Sequence, residues 1–342
     1  MRDYVPGGLP QTGVIICGST NVDTFVHVAD FPRPGETVLA TPGVQGLGGK
    51  GANQAVACAQ FGVPAVFISA VGRDALGTLA LDELSRRGVD TSLVRRDPQA
   101  PTGQAFIMTD PGGENIIVVT SGANFGVSPA RMAAELARQG NSETALDSVE
   151  DGGRGGGGEG GELILLAQGE LRPEHTEELP LLARCLGARL VLNLAPVSTR
   201  SPELLAAADL LILNEVEAAD LLGMQPPAAE DLEPLLLALR ERRWRAVVTL
   251  GARGAAIVDG EHITHVPAVK VPTVVDTTGA GDAFAGTLAA ALAEGSDLQT
   301  ASRFAVAAGS LATQRPGAAS SYASGAVVRS TAHSSGSVER RR

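Results

Sequence analysis

The order of apolar and polar segments predicts an α/β fold, a doubly wound, mostly parallel sheet flanked by helices. Two observations support this prediction. Short apolar runs recur along the chain, and helix-like stretches separate most of them. The 342 residues have an apolar content of 44%, which is enough for a substantial core. We expect the fold to occupy residues 13–322.

The first apolar run, at 14–17, is closed by Gly18 and predicts a buried strand. Residues 51–61 then predict a helix that ends at Gly62. Further strands are predicted at 65–71, 163–167, 190–194, 210–213 and 246–250, with helices at 76–87, 173–186 and 231–243.

Two segments break this alternation. Residues 24–47 and 104–121 are rich in β-forming residues, and the second contains a Pro-Gly-Gly turn, which predicts antiparallel strands in a small separate sheet placed as a lid. Residues 140–162 are rich in glycine and acids, which predicts a flexible insertion. We expect an N-terminal extension at 1–12 and a disordered tail at 323–342.

The chain is acidic, with 27 basic and 38 acidic residues and a net charge of −11. This argues against a nucleic-acid surface, and an anionic ligand would need backbone amides, metal ions or a few placed cations. The three cysteines are widely spaced, which predicts neither a disulfide framework nor a zinc site. This pattern fits a protein of the reducing cytoplasm. The sequence shows no apolar leader and no run long enough for a membrane span, so we expect a cytoplasmic protein.

The first motif is GGKGANQA at 48–55, which opens a predicted helix. Its glycines allow a ligand to approach the backbone, and Gly49, Lys50 and Asn53 supply donors at a helix start. Gly51 follows Lys50 where a Walker A loop requires Ser or Thr, and no G-x-G-x-x-G follows the first strand. A tight turn before a helix is the alternative.

The second motif is DTTGAGD at 276–282, which also opens a helix. The amides of Gly279, Ala280 and Gly281 can bind a phosphate at the helix N-terminus. Asp282 at the edge of this anion hole suits a general base for phosphoryl transfer, where positioning matters more than basicity. An ordinary N-cap is the alternative for Asp282.

Polar residues also follow several predicted strands, where open α/β sheets bind ligands. Asn21 and Asp23 end the first strand, and a polyol could bind through Asp23, Asn53 and Glu170. A cap or turn residue is the alternative for each of them. Asn214 and Glu217 suit Mg²⁺ coordination through waters, or a helix start. The TLGARG turn at 249–254 is a weaker indication of nucleotide contacts.

Together these motifs resemble the ribokinase-like family of carbohydrate kinases. The similarity runs from about residue 14 to 321 and includes GSTNVD at 18–23, SGAN at 121–124, QGE at 168–170 and LNEVEA at 213–218. The resemblance implies ATP-dependent phosphorylation of D-ribose to D-ribose 5-phosphate, with Mg²⁺, an activating K⁺ and a homodimer formed through the lid.

The resemblance also implies a role for each matching residue. D-ribose would contact Asn21, Asp23, Gly49, Lys50, Asn53, Glu170 and Asp282. ATP and Mg²⁺ would use Asn214, Glu217, Thr249, Gly251, Gly254 and Gly281. The anion hole would be Gly279, Ala280 and Gly281, and Asp282 the base. The K⁺ site would comprise Asp276, Thr278, Ala312, Arg315, Gly317 and Ser321.

Two departures bear on these roles. Gln104 stands where family members tend to have a small apolar residue near the sugar, which leaves deoxyribose, fructose and adenosine open as substrates. Pro316 lies inside the implied K⁺ loop. A sugar sensor without turnover and a dehydrogenase are the alternatives from other classes; the first does not need a base, and the second lacks its glycine fingerprint.

Overall fold

A computed structural model describes residues 9–112, 114–138, 161–227, 231–334 and 339–341. The strands are β1 (Gly13–Cys17), β2 (Asn21–His27), β3 (Thr41–Gly48), β4 (Ala65–Gly72), β5 (Val94–Asp97), β6 (Gly103–Thr109), β7 (Asn115–Thr120), β8 (Leu163–Gln168), β9 (Arg189–Asn193), β10 (Leu210–Asn214), β11 (Ala246–Thr249), β12 (Ala255–Asp259), β13 (His262–Val266) and β14 (Glu339–Arg341). The helices are α1 (Lys50–Phe61), α2 (Ala75–Arg86), α3 (Pro129–Arg138), α4 (Pro173–Thr176), α5 (Leu179–Leu186), α6 (Pro202–Ala207), α7 (Glu215–Leu222), α8 (Glu233–Glu241), α9 (Ala280–Ala293), α10 (Leu298–Ala312) and α11 (Gly325–Ser334).

The main sheet has the order β14-β13-β12-β11-β10-β9-β8-β1-β4-β5 in the described residues. Its strands from β5 to β11 pair in parallel, which confirms the predicted α/β sheet. An antiparallel extension through β12 and β13 to β14 was not predicted. Strands β1 and β4 are buried along their whole length, as expected for strands with helices on both faces.

Two hydrophobic clusters lie on opposite faces of this sheet. Ile16 packs in the cluster that includes α1, α9 and α10. Ile15, its neighbour in β1, packs in the cluster that includes α3, α5, α7 and α8. This division follows from the alternation of side chains along a strand. The helix predicted at 173–186 is divided into α4 and α5.

The predicted lid is a separate sheet with the strand order β3-β2-β6-β7. Its outer pairs are antiparallel, as predicted, but β2 and β6 are parallel, so the sheet is mixed. The reason is topological. Strands β2 and β6 follow β1 and β5, which run in the same direction in the main sheet, and the chain between them is a long crossover.

The prediction of disorder at 323–342 is wrong for α11. Val328 and Ala332 lie four residues apart and are buried in the main core. The guanidinium of Arg329 lies 3.9 Å from the ring centroid of Phe61 and pairs with Glu294. These contacts hold a segment whose Ser/Ala/Gly composition alone indicated disorder.

Other predictions fall partly outside the described residues. Residues 140–160 of the predicted insertion and 1–8 of the predicted extension lie outside them. Glu162 is described, and its backbone bonds to Gly13 and Ala293. In the described ranges, no helix combines the length and apolar character that crossing a bilayer would require.

Candidate active site

The predicted site residues converge where the carboxyl ends of the main-sheet strands meet the lid. Asn21 begins β2 in the lid, and Glu170 follows β8. Asn214 ends β10 and is paired in register with Thr249 at the end of β11. This edge is where open α/β sheets place their ligand sites.

The loop before α1 is held against the end of β8. Gly49 has φ +87°, and a Cβ there would lie 2.9 Å from the amide nitrogen of Asn21, so this position requires glycine. The N–H of Lys50 donates to Oε2 of Glu170 at 3.0 Å. The hydroxyl of Ser19 donates to the same carboxylate oxygen. These bonds place the predicted sugar residues Lys50 and Glu170 side by side.

Asp282 lies in the first turn of α9 and is only 6% exposed. Its Oδ2 accepts a hydrogen bond from Nδ2 of Asn53, and its Oδ1 accepts one from Nε2 of Gln54, both at 3.0 Å. The N-cap of α9 is Gly279, and Asp282 is the third residue of the helix. The N-cap interpretation of Asp282 is therefore wrong, since its carboxylate is bonded to side chains of α1.

The turn before α9 also requires glycine. Gly279 has φ +74°, and a Cβ there would lie 2.8 Å from the hydroxyl oxygen of Tyr322. That hydroxyl donates to the carbonyl of Gly279 at 3.0 Å. Burial raises the pKa of Tyr322 well above its usual value, and the charge of Asp282 adds to this effect, so the hydroxyl remains a donor.

The helix start offers unpaired amides. The N–H groups of Gly279, Gly281 and Asp282 have no acceptor among the described residues, whereas that of Ala280 donates to the carbonyl of Thr277 at 3.2 Å. A Cβ on Gly281 would meet no atom within 4 Å, so an anion can approach this turn. Of the three residues predicted to form the anion hole, Gly279 and Gly281 have amides without an acceptor in the described part of the chain, whereas the amide of Ala280 is bonded.

Acidic groups outnumber cations around Lys50. Burial, with the charges of Glu170 and Asp282, raises the pKa of Asp23 to about 7. The charge of Asp282 raises the pKa of Lys50, burial opposes this, and Glu170 adds to the increase. Lys50 is therefore held as an ammonium group beside the predicted base.

Most of the residues predicted to serve the nucleotide lie where β10 and β11 end and where α7 begins. Asn214 and Glu217 form a capping box at the start of α7, with N–H to oxygen distances of 2.7 and 2.8 Å. Burial raises the pKa of Glu217, opposed by the Asn214 N–H and by Lys50, while the charge of Asp282 adds to the increase. Gly251 and Gly254 bracket a short turn after β11.

Of the residues predicted to bind K⁺, the structure connects Asp276, Thr278 and Gly317 by hydrogen bonds. Asp276 accepts hydrogen bonds from the N–H groups of Thr278 and Gly317, at 2.9 and 2.8 Å. Burial opposes ionisation of Asp276, but these bonds outweigh it and lower its pKa. Ala312 ends α10, and Arg315 is exposed in the following loop. The hydroxyl of Ser321 donates to the carbonyl of Ala318 at 2.8 Å.

Gln104 does not face the predicted sugar site. In the lid, Asp23 is paired with Ala105, whereas Gln104 is paired with Val22. Because successive side chains of a strand point to opposite faces, Ala105 shares the face of Asp23 and Gln104 lies on the other face. The small apolar residue is therefore present beside Asp23, one position further along the chain.

Sequence reasoning missed the buried amides Gln54, Gln168 and Asn193, which bond to Asp282 or to one another. Gln54 lies in the GGKGANQA motif and Gln168 in the QGE motif, but neither motif indicated a bond between these side chains or to Asp282. Gln168 and Asn193 end apolar strands, where a single polar residue gives no indication of its partner. In the described ranges, no group of three or more His, Cys, Asp or Glu side chains is arranged to hold a metal ion.

Fold and site together fit a phosphotransferase of the α/β class with an alcohol group as acceptor. Residues 11–324 match the family model described as pfkB family carbohydrate kinase. The chain therefore belongs to this family of carbohydrate kinases, as the motifs predicted.

Individual relatives agree with this family. The chain is 33% identical over 310 residues to the ribokinase of Arabidopsis thaliana, covering 89% of this chain and 77% of the relative. It is 32% identical over 307 residues to the ribokinase of Haemophilus influenzae, covering 90% and 94%. A solved structure of Arabidopsis thaliana ribokinase complexed with ribose and ATP superposes with a TM-score of 0.78 at 29% identity, covering 94% of this chain and 99% of that one.

Proposed function

We propose that this carbohydrate kinase transfers the γ-phosphate of ATP to the 5-hydroxyl of D-ribose, with Asp282 as the base. The observation that carries the proposal is the position of Asn53. Its Nδ2 bonds to Asp282, while its buried Oδ1 has no partner among the described residues. A buried acceptor without a donor is costly, and a sugar hydroxyl beside Asp282 would satisfy it.

The sugar is bound between the lid and α1. Asp23 and Glu170 supply carboxylate acceptors, Lys50 a cation, and Asn21 and Gly49 complete the loop contacts. The amide of Asn124 donates to Oδ1 of Asn21 at 2.8 Å and so fixes that side chain at the base of the lid. Ala105 leaves room on the sugar face. The ribokinase relatives and the ribose complex of the Arabidopsis enzyme support ribose as the acceptor.

The acceptor hydroxyl is activated by Asp282. In a loose phosphoryl-transfer transition state the hydroxyl loses its proton late, so an ionised carboxylate in the correct place is a sufficient base. The proton moves from the sugar hydroxyl to a carboxylate oxygen of Asp282 as the new O–P bond forms and the bond from the γ-phosphorus to the bridging oxygen breaks, which releases ADP. The free N–H groups at the start of α9 stabilise the charge on the transferred phosphoryl group.

Mg²⁺ fits the acidic side of this site. Glu217 is a partly desolvated carboxylate whose pKa is raised by burial, and a cation would offset its charge. Asn214 and Glu217 would hold Mg²⁺ through waters, and the metal would neutralise phosphate charge. Thr249, Gly251 and Gly254 would line the nucleotide site.

A K⁺ ion and a second subunit complete the proposal. Asp276, Thr278, Ala312, Arg315, Gly317 and Ser321 would surround K⁺, several through carbonyl groups, and the ionised Asp276 fits a cation.

Strand β7 is an edge strand of the lid with every residue exposed, including Ile117 and Val119. An exposed apolar edge of this kind fits a homodimer contact.

The test is ADP release measured with D-ribose, 2-deoxyribose, D-fructose and adenosine, each with K⁺ and with Na⁺. We expect D-ribose to give the highest kcat/KM and K⁺ to increase it. If another acceptor gives a higher kcat/KM, that acceptor is the substrate and ribose is not. If no acceptor stimulates ADP release while ribose binds, the chain is a sugar sensor and the proposed reaction is wrong.

A further inference from the structure

Three buried amide side chains extend from Asp282 beneath the candidate site. Nε2 of Gln54 donates to Oδ1 of Asp282 at 3.0 Å and to Oδ1 of Asn193 at 2.9 Å. Nε2 of Gln168 donates to Oε1 of Gln54 at 2.7 Å. Gln54 has no exposed surface, and Gln168 and Asn193 are also buried. Bulk water therefore does not compete for these bonds.

The hydrogen bonds of this row fix the direction of each amide. Nδ2 of Asn193 donates to the carbonyl of Ile212 at 3.0 Å, and a carbonyl can only accept. Oδ1 of Asn193 must therefore face Gln54, which then presents its NH₂ group. The oxygen of Gln54 faces the NH₂ group of Gln168. Turning Gln54 over would place oxygen against oxygen at two contacts.

This arrangement has a consequence for Asp282. Its two carboxylate oxygens are held separately, one by Asn53 and one by Gln54, so the carboxylate cannot rotate without breaking a buried bond. Asn53 has a free oxygen for the sugar, whereas both polar atoms of Gln54 are already bonded.

The geometry points to Gln54 as a positioning residue that holds the carboxylate of Asp282 aimed at the acceptor hydroxyl, with its own direction set by Asn193. Gln54 acts through Asp282 and does not touch the substrate. The inference rests on the proposed role of Asp282 as the base.

The first test is Gln54→Leu, which keeps the size of the side chain and removes its donors. We expect kcat for the sugar kinase reaction to fall about 10- to 100-fold, because a misplaced base costs rate rather than binding. The KM values for sugar and ATP should stay within about threefold of the wild type. Thr287→Val is the matched control. Thr287 is buried five residues further along α9 and lies outside this row, so this variant should retain wild-type kcat.

The second test is Gln54→Glu, which keeps the shape and adds an acid next to Asp282. Two carboxyl groups about 3 Å apart resist double ionisation, so they would share one proton at low pH. In that state the new carboxyl donates its one proton to Asp282, so the bond to Asp282 is kept while the bond to Asn193 is lost at every pH. As pH rises the proton is lost and repulsion displaces Asp282. We therefore expect the ratio of mutant to wild-type kcat to fall between about pH 6 and pH 9, a trend that a purely structural defect would not produce.

Three outcomes would overturn the inference: a kcat within about twofold of the wild type in Gln54→Leu, an equal loss in Thr287→Val, or a pH-independent kcat ratio in Gln54→Glu. If Gln54→Leu does not fold, the isosteric Gln54→Glu decides alone. Asp282→Asn, measured in parallel, separates the two claims. If Asp282→Asn is inactive and Gln54→Leu is fully active, only the positioning role of Gln54 is rejected. If Asp282→Asn is active, the assignment of Asp282 as the base is rejected.

Discussion

Replacing Asp23 with asparagine should make the protein more stable at alkaline pH while weakening sugar binding. The carboxylate of Asp23 lies against the Cα of Gly48. Burial and the charges of Glu170 and Asp282 raise its pKa from 3.8 to about 7. An Asp whose pKa is raised on folding opposes the folded state once it must ionise. The loss of folding free energy begins above the pKa of Asp23 in the unfolded chain, grows with pH, and reaches its full size above the pKa in the folded protein.

The size of the effect follows from this pKa. One pKa unit corresponds to about 1.4 kcal/mol, so the full cost above about pH 7 is at most about 4 kcal/mol. Between about pH 5.5 and pH 8.5, the destabilisation caused by ionising Asp23 increases by at most about 2 kcal/mol. Asp23 is partly exposed, and solvent screening reduces this increase to about 1 kcal/mol.

The assay is urea unfolding of the wild type and Asp23→Asn, without ligands, at the two pH values. The difference in free energy of unfolding should favour the variant and grow with pH by about 1 kcal/mol. Asp82→Asn, on the exposed surface of α2, serves as the control and should show no such growth. The same Asp23 variant should bind D-ribose about 30-fold or more weakly, since a charged acceptor is lost. A difference that shrinks as pH rises would refute the electrostatic reasoning.

Two further predictions concern the lid and the cation. Ile117→Asp places a charge on β7, where Ile117 is 54% exposed, and should convert a dimer formed through the lid into a monomer, as measured by light scattering. The control Leu181→Asp, on the exposed surface of α5, should leave the molecular mass unchanged. An unchanged mass in Ile117→Asp would exclude a dimer contact through β7. Asp276→Asn removes the charge beside Thr278 and Gly317 and should lower the ratio of K⁺- to Na⁺-supported kcat several-fold, whereas an unaltered ratio would place the cation elsewhere.

The main sheet and the position of the site could be predicted from the sequence because both follow from local patterns. Short apolar runs predict buried parallel strands, and Glu170 and Asn214 lie at or just after the ends of two of them. The start of α9 could be predicted because glycine is required where φ is positive, as at Gly279.

The rest depends on tertiary contacts that no local pattern encodes. The role of Gln104 was misassigned by one residue because strand register decides which side chain shares the face of Asp23. The helix α11 was missed because its small residues are stabilised by burial against α10 and α1 rather than by composition. Gln168 was missed because its partner, Gln54, is 114 residues away.

The most direct test of the account is Asp282→Asn, with turnover and binding measured separately. Asn keeps the size of the side chain but cannot accept the proton of the sugar hydroxyl. We predict that kcat for ribose-dependent ADP release falls by roughly 10²- to 10⁴-fold. The Kd of D-ribose from calorimetry should change by about fivefold or less, because Asp23, Lys50 and Glu170 remain. A turnover close to that of the wild type, with ribose bound normally, would contradict the assignment of Asp282 as the base.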